Sequence, residues 1–108
     1  MALSLMGRTV FPDSHPLSLG LVGMHGSYQA AKVQAECDVL LALGVRFSDR
    51  ATGKISSYTK NCKVIHVDID KAELGKNLAP DFSVQSDVKK WIKNILPKLE
   101  ERKNAEWW

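Results

Sequence analysis

The hydrophobic pattern of the chain centres on one continuous apolar run, Val39–Leu43. A run this short without alternation is typical of a strand buried on both faces of a parallel sheet. The run ends at Gly44, and Arg46, Asp49 and Arg50 follow closely. Ligands of open parallel sheets bind outside the carboxyl ends of the strands, and arginine forks donate to phosphate. The loop is therefore a candidate ligand site, and a solvated loop with local ion pairs is the alternative.

The remaining pattern alternates between strand-like and helix-like segments. β-branched residues bounded by charges predict a strand over residues 63–70. Further strands are expected over residues 2–7 and 82–85, and helices over residues 28–36, 71–76 and from residue 88 onward. An order of strand, helix, strand, strand, helix, strand, helix predicts an α/β fold with a parallel sheet and right-handed crossovers.

Two helices carry local signals of where they begin and which face is buried. Ser27 is a plausible N-cap for the first helix. In that helix, Tyr28, Ala31 and Ala35 share a face that we expect to pack on the sheet. In the last helix, Ser86 or Asp87 is the expected cap. Pro97 predicts either a kink or a second short helix. The apolar stripe of the last helix consists of Val88, Trp91, Ile92, Ile95, Leu96 and Leu99.

Composition narrows the classes of function without selecting one. The chain has 108 residues, 44% of them hydrophobic and 25% charged, with a net charge of +3. These proportions are those of a globular domain with a modest core. Lysine and arginine are scattered among acids rather than forming a stripe, which argues against nucleic-acid binding. No segment has the length of a membrane span or the pattern of a signal peptide.

The cysteines and histidines are too dispersed to predict a zinc site. Cys37 and Cys62 lack CxxC spacing, and His15, His25 and His66 are far apart in the sequence. Two free thiols in a reducing compartment are the expected state.

Three further features could contact a ligand, and each has a simpler interpretation. Asp68, at the end of a predicted strand, either accepts hydrogen bonds from a ribose or has only a local role. For Asp70 we favour a cap of the following helix. The glycines of residues 20–26 open a helix that can hold an anion. His25 in that stretch could touch a ligand, although loop histidines are more often simply solvated.

Four segments together resemble the large subunit of acetolactate synthase, also called acetohydroxyacid synthase. They are residues 15–20 (HPLSLG), 23–26 (GMHG), 44–54 (GVRFSDRATGK) and 66–70 (HVDID). The resemblance runs along nearly the whole chain, in order and with matching separations. Other thiamine diphosphate enzymes, such as glyoxylate carboligase and pyruvate oxidase, are less similar here.

The resemblance implies the central domain of a three-domain enzyme. That domain is a Rossmann-like, six-stranded parallel sheet with helices on both faces, and it holds FAD in a structural rather than a net redox role. Thiamine diphosphate and Mg²⁺ are bound by the other two domains. The flavin-binding positions that it implies are Leu5, Met6, His25, Gly44, Val45, Arg46, Asp49, Arg50, Asp68, Ile69, Asp87 and Val88.

The same resemblance implies that residues 1–108 form one domain, truncated at its N-terminus so that its first strand and helix are missing. The parent would condense two pyruvates, or pyruvate and 2-oxobutyrate, with loss of CO₂ in branched-chain amino-acid synthesis. No catalytic or metal-binding residue falls in this chain, so we expect it to be inactive by itself. Implied partners are the other domains, further copies in a homo-oligomer, and a small regulatory subunit. The implied location is the cytoplasm, or an organelle lumen in a plant or fungus.

Two alternatives belong to other classes. One is a stand-alone Rossmann-like module that binds a nucleotide or regulates another protein without being an enzyme. The other is a structural interaction domain that binds no nucleotide.

Overall fold

A computed structural model describes residues 1–48, 52 and 58–103. The helices α1 and α2 span Tyr28–Glu36 and Val88–Ile95, and a 3-10 helix spans Leu96–Lys98. The strands β1 to β5 span Ala2–Leu3, Gly20–Leu21, Val39–Leu43, Lys63–Asp68 and Phe82–Gln85. None of the helices within the described ranges has the length and apolarity that crossing a bilayer requires.

All the described strand pairs are parallel, which confirms the α/β class. β4 lies between β3 and β5, with Val39 opposite Lys63 and Ile65 opposite Phe82. β1 and β2 pair separately, with Ala2 opposite Gly20. The described strands therefore form two parallel sheets where the sequence pattern predicted one. β2 was not predicted, because two residues are too few to show a period.

Two predicted strands are shorter than the pattern suggested. β1 stops at Leu3, because the chain turns at once and the Gly7 amide donates to the Ser4 carbonyl at 3.0 Å. β4 stops at Asp68, whose Oδ1 accepts a hydrogen bond from the Asp70 amide at 2.9 Å. A side chain that bonds the backbone two residues ahead competes with continuation of the strand.

The prediction that β3 is buried on both faces is wrong. Val39 and Leu41 are 52% and 46% exposed, whereas Ala42 on the other face is 3% exposed. Among the described strands, β3 pairs with β4 alone, so it forms an edge of its sheet. The apolar run identified the strand correctly, but composition carries no information on what covers each face.

The core lies against one face of β3 and β4. It is formed by Ala42, Phe47, Val64 and Leu78, all buried and in mutual contact. The ring of Phe47 meets His66 edge-on, with 5.0 Å between ring centroids. The loop after β3 is therefore fixed to the core through Phe47, which follows the candidate ligand residues Gly44 and Val45 by three and two positions.

The first helix begins and ends where predicted, and Ser27 caps it by accepting from the Ala30 amide at 3.2 Å. Its buried face is different from the one predicted. Ala30 is fully buried, whereas the three residues expected inside are exposed, namely Tyr28, Ala31 and Ala35. The Ser27 amide donates to the Leu21 carbonyl at 2.8 Å. This bond ties the first turn to β2, whose position the sequence pattern did not reveal.

The last helix is capped by Asp87, whose Oδ1 accepts from the Lys90 amide at 3.0 Å. Of the two alternatives for Pro97, the second is confirmed, because the residue lies in the first turn of the short 3-10 helix.

The helix predicted over residues 71–76 is absent, and that segment is a series of turns. Asp70 therefore caps a turn rather than a helix, its Oδ1 accepting from the Ala72 amide at 2.9 Å. Gly75 has a φ of +78°, outside the right-handed helical region, which prevents the turns from continuing as a helix.

Candidate nucleotide-binding site

A cavity of about 340 Å³ lies at the carboxyl ends of β3 and β4. The loops that follow these strands and the first turn of α2 form its wall. A crevice in this position is where open parallel sheets bind ligands. The lining residues are Gly44, Arg46, Asp68, Ile69, Asp70, Glu73, Asp87 and Val88.

Gly44 ends β3 with a backbone that favours glycine. Its φ is +61°, and its amide donates to the Val67 carbonyl at 2.8 Å, extending the ladder between the strands. A Cβ built at this position would lie 3.8 Å from Cγ2 of Val88, an ordinary contact. The requirement for glycine therefore comes from the left-handed backbone, and a longer side chain would project toward the cavity wall.

His66 fixes the loop that begins at Gly44 after β3, which we call the ligand loop. Its side chain is fully buried, and Nε2 lies 2.9 Å from the Val45 carbonyl oxygen. Because a carbonyl only accepts, Nε2 carries the proton and donates it. Nδ1 is buried and has no hydrogen-bond partner among the described residues. The imidazole thus links the central strand to the loop that begins at Gly44.

Two aspartates shape the loop after β4. Asp68 is 7% exposed, and its Oδ2 lies 3.9 Å from Nε2 of His66 while Oδ1 accepts from the Asp70 amide. The Asp70 carboxylate in turn accepts from the Ala72 amide. Both aspartates therefore line the cavity, and both also accept a hydrogen bond from a backbone amide two residues ahead.

Arg46 stands at the mouth of the cavity with a largely exposed side chain. Its Nε lies 3.9 Å from Glu73 Oε1, and Lys76 Nζ lies 3.8 Å from the same oxygen. The Glu73 side chain is only 13% exposed, but it has both cations as partners, and Lys76 would still pair with it if Arg46 moved away. A bound anion could therefore take over the Arg46 guanidinium at little cost.

The charge of the wall favours hydroxyl groups over a densely charged ligand. Its ionisable groups are one guanidinium and the four carboxylates of Asp68, Asp70, Glu73 and Asp87. Carboxylates accept hydrogen bonds from hydroxyls, whereas phosphates need cations or amide donors. Such donors are available at Arg46 and at the first turn of α2. The described residues contain no group of three or more potential ligands placed to hold a metal ion.

The cavity brings together half of the residues that the resemblance implied. Those lining it are Gly44, Arg46, Asp68, Ile69, Asp87 and Val88. Val45 is half-buried against the core instead, with its carbonyl bonded to His66. Asp49 and Arg50 lie outside the described residues.

Three more implied residues lie apart from the cavity wall, on turns that follow β1 and β2. Leu5 and Met6 are 70% and 93% exposed, and His25 is exposed as well. Conversely, Asp70 and Glu73 line the cavity although neither is among the flavin-binding positions that the resemblance implied. The available signal was their acidity, close behind the end of a buried strand.

Comparison with known families agrees with this architecture. The profile described as "Thiamine pyrophosphate enzyme, central domain" matches residues 1–95. The chain belongs to this family. A probable acetolactate synthase large subunit from Methanocaldococcus jannaschii is 48% identical over 107 residues, covering 97% of this chain and 18% of the relative.

Two other relatives of this central domain give the same result. The acetolactate synthase isozyme 1 large subunit of Escherichia coli is 45% identical over 105 residues, 97% of this chain and 19% of the relative. The acetolactate synthase large subunit of Cyanidium caldarium is 48% identical over 101 residues, 94% of this chain and 17% of the relative. The resemblance found in the sequence motifs is confirmed, and the chain spans less than a fifth of the length of these relatives.

Proposed function

We propose that the chain is the FAD-binding central domain of an acetolactate synthase. The enzyme would join two pyruvates, or pyruvate and 2-oxobutyrate, with loss of CO₂ in branched-chain amino-acid synthesis. The observation that carries the nucleotide part is the cavity at the carboxyl ends of β3 and β4, which gathers six of the implied flavin residues. The names of the relatives support the enzyme to which the domain belongs.

The cavity suits the adenosine half of a dinucleotide. The carboxylates of Asp68 and Asp87 are placed to accept hydrogen bonds from ribose hydroxyls, and Asp68 is held in orientation by the Asp70 amide. Gly44 allows the ligand to approach the backbone, and Arg46 can donate to a phosphate. Bound FAD would supply a structural element of the domain and no net electron transfer. The implied contacts at Leu5, Met6 and His25, which lie apart from the cavity, would be made by the part of FAD that extends beyond it.

The rest of the enzyme follows from the same proposal. Residues 1–108 would form one central domain, and neighbouring domains would bind thiamine diphosphate and Mg²⁺ and provide the catalytic residues. Partners would be those domains, further copies of the same chain and a small regulatory subunit. The protein would work in the cytoplasm, or in an organelle if its source is a plant or fungus.

A flavin titration with a matched pair of glycine variants tests the nucleotide part. Gly44 and Gly75 have φ values of +61° and +78°, so alanine at either position costs about 1–2 kcal/mol of stability. No atom lies within 4 Å of a Cβ built at Gly75. We expect Gly44→Ala to weaken FAD binding and Gly75→Ala to leave it unchanged, as measured by quenching of flavin fluorescence.

Arg46→Ala should weaken FAD binding by about tenfold to a hundredfold, which corresponds to a charge-assisted hydrogen bond of about 1.5–3 kcal/mol. ADP should compete with FAD, whereas FMN, which lacks the adenosine half, should compete poorly. Equal affinity of the wild type and all three variants would place the flavin elsewhere. Strong competition by FMN and none by ADP would show that this cavity does not hold the adenosine half.

A further inference from the structure

Two cysteines lie together at the end of the sheet opposite the nucleotide cavity. Cys37 is the C-cap of α1, two residues before β3 begins, and Cys62 immediately precedes β4. The residues that follow them are joined directly, because the Lys63 amide donates to the Asp38 carbonyl at 2.8 Å. Both thiols are unpaired, and both residues are half-buried.

The strand register brings the backbones of the two residues close together, at an end of the sheet where neither cysteine belongs to a strand. Val39 lies opposite Lys63, so Asp38 is level with Cys62 and Cys37 is its diagonal neighbour. A strand spacing of about 4.8 Å and a step of about 3.3 Å place such Cα atoms roughly 6 Å apart. Disulfides span Cα separations of about 4.4–6.8 Å. Cys62 is also one of the neighbouring groups that raise the pKa of Cys37, which is consistent with two side chains that lie near each other.

The surroundings keep the Cys37 side chain in its thiol form at neutral pH. The Cys37 thiol donates to the Gln34 carbonyl at 3.1 Å, and Cys62 packs against the core. Burial, and secondarily the neighbouring Cys62, raises the pKa of Cys37 to about 11. The pKa of Tyr58 is also raised, by burial first and then by the two thiols. The thiolate is the reactive form, so both uncatalysed oxidation and alkylation of Cys37 should be slow.

We propose that Cys37 and Cys62 are a redox modification site that forms a reversible intrachain disulfide with a small-molecule disulfide oxidant such as oxidised glutathione. In the first step the Cys62 thiolate attacks one sulfur of the oxidant, forming a mixed disulfide and releasing one glutathione thiolate. Cys37 then loses its proton to water and attacks the Cys62 sulfur, forming the intrachain bond and releasing the second glutathione. Two electrons pass from the protein thiols to the oxidant, which leaves as two reduced thiols.

The bond would fasten the edge strand to the central strand where they begin. β3 is held along one side only among the described strands, by its ladder with β4. A covalent link beside the hydrogen bond between Asp38 and Lys63 would oppose fraying of β3 from that end. The nucleotide cavity lies at the other end of these strands, so the site is distinct from the one proposed for FAD and its test does not depend on flavin.

The proposal is tested by equilibrating the 108-residue chain with glutathione buffers of increasing oxidation, followed by acid quenching and intact mass measurement. Native contact raises the effective concentration of one thiol at the other. We therefore expect native chain to become half-oxidised at an oxidised-glutathione level on the order of tenfold below that needed in denaturant. The product should be a monomer that has lost both thiol hydrogens, with one cross-linked peptide containing Cys37 and Cys62.

Single variants identify the two steps. Cys37→Ser should stop at a stable glutathione adduct on Cys62, and Cys62→Ser should prevent the intrachain bond, with circular dichroism confirming that each is folded. The wild-type comparison between native and denaturing buffers stands even if a variant fails to fold. Equal midpoints in the two buffers, or only glutathione adducts and disulfide-linked dimers from native wild type, would overturn the proposal.

Discussion

Of the two neighbouring strands β3 and β4, the more hydrophobic one, β3, has the more exposed side chains, and the less hydrophobic one, β4, has the more buried side chains. β3 reads Val-Leu-Leu-Ala-Leu, yet Val39 and Leu41 are each about half exposed. β4 reads Lys-Val-Ile-His-Val-Asp, yet His66 and Val67 are fully buried. The difference lies in position, because β4 has a strand on each side and β3 is an edge among the described strands. Burial in this sheet is therefore set by neighbours rather than by side-chain type.

The polar residues of the central strand also have a function there that apolar ones could not have. His66 donates to the Val45 carbonyl, which belongs to the loop that shapes the cavity. A buried polar group is tolerated when it is hydrogen-bonded, and removing its partner leaves the other group unsatisfied. The central strand thus combines a packing role with the positioning of a ligand loop.

The largest expected effect comes from shortening the same side chain in each strand. Val67→Ala removes two methyl groups from a fully buried position and should lower the free energy of unfolding by about 2–3 kcal/mol. Val39→Ala, at a position 52% exposed, should cost less than about 1 kcal/mol. Urea unfolding monitored by circular dichroism measures both. Equal losses would mean that an unseen neighbour covers the edge strand.

A second pair of variants exchanges polar and apolar character between the strands. His66→Leu makes the buried strand more apolar, but it leaves the Val45 carbonyl without its donor and should cost about 1–2 kcal/mol. Leu41→Thr makes the edge strand more polar and should change stability by less than about 1 kcal/mol, because the position is 46% exposed and threonine suits strands. If His66→Leu were stabilising, the loss of the buried, unbonded Nδ1 would outweigh the lost bond.

The smallest expected effect is on the pH dependence of stability where β3 begins. The pKa of Cys37 is raised from 9.0 to about 11 in the folded chain, mainly by burial. Between those pH values the unfolded chain has lost this proton and the folded chain retains it. Stability should therefore fall as the pH rises through that window.

Unfolding midpoints in urea at about pH 8 and about pH 10 measure this decline. The decline should be shallower for Cys37→Ser, which lacks the ionising group. The raised pKa of Tyr58 acts in the same direction; its largest cause, burial, remains in both proteins, whereas the smaller part caused by Cys37 is lost together with Cys37. Parallel declines in the two proteins would exclude a contribution from Cys37.

The sequence was sufficient for elements whose signals are local. Ser27 and Asp87 bond amides three residues ahead, and the helices they cap begin as expected from that spacing. The parallel direction of the longer strands was predicted correctly from alternation with helices, although the helix expected between β4 and β5 is a series of turns. Burial of Ala30 instead of Tyr28 did not follow, because it depends on the hydrogen bond from the Ser27 amide to Leu21 in β2, a strand that the pattern did not reveal.

The cavity residues likewise divide into those with a local signal in the sequence and those whose position depends on contacts elsewhere in the chain. Gly44 and Asp68 were found because they terminate recognisable strands, whose carboxyl ends meet at one edge of the sheet. Glu73 was missed because a helix was expected in its place, and the turns that bring it to the cavity depend on Asp70 and Gly75. Nothing in the local pattern separated His66 from an ordinary strand residue, since its partner Val45 lies 21 positions earlier.

The parallel pairing of β4 with both of its neighbours also constrains how the sheet assembles. The β3–β4 pairing closes 24 residues from Val39 to Lys63, and the β4–β5 pairing closes 17 from Ile65 to Phe82. Loop closure costs differ by only about 0.3 kcal/mol between chains of these lengths. Chain entropy therefore does not favour one pairing over the other. Both join residues that are far apart in the sequence, and such contacts slow folding. The order in which the strands join is left to the contacts made by β4 itself.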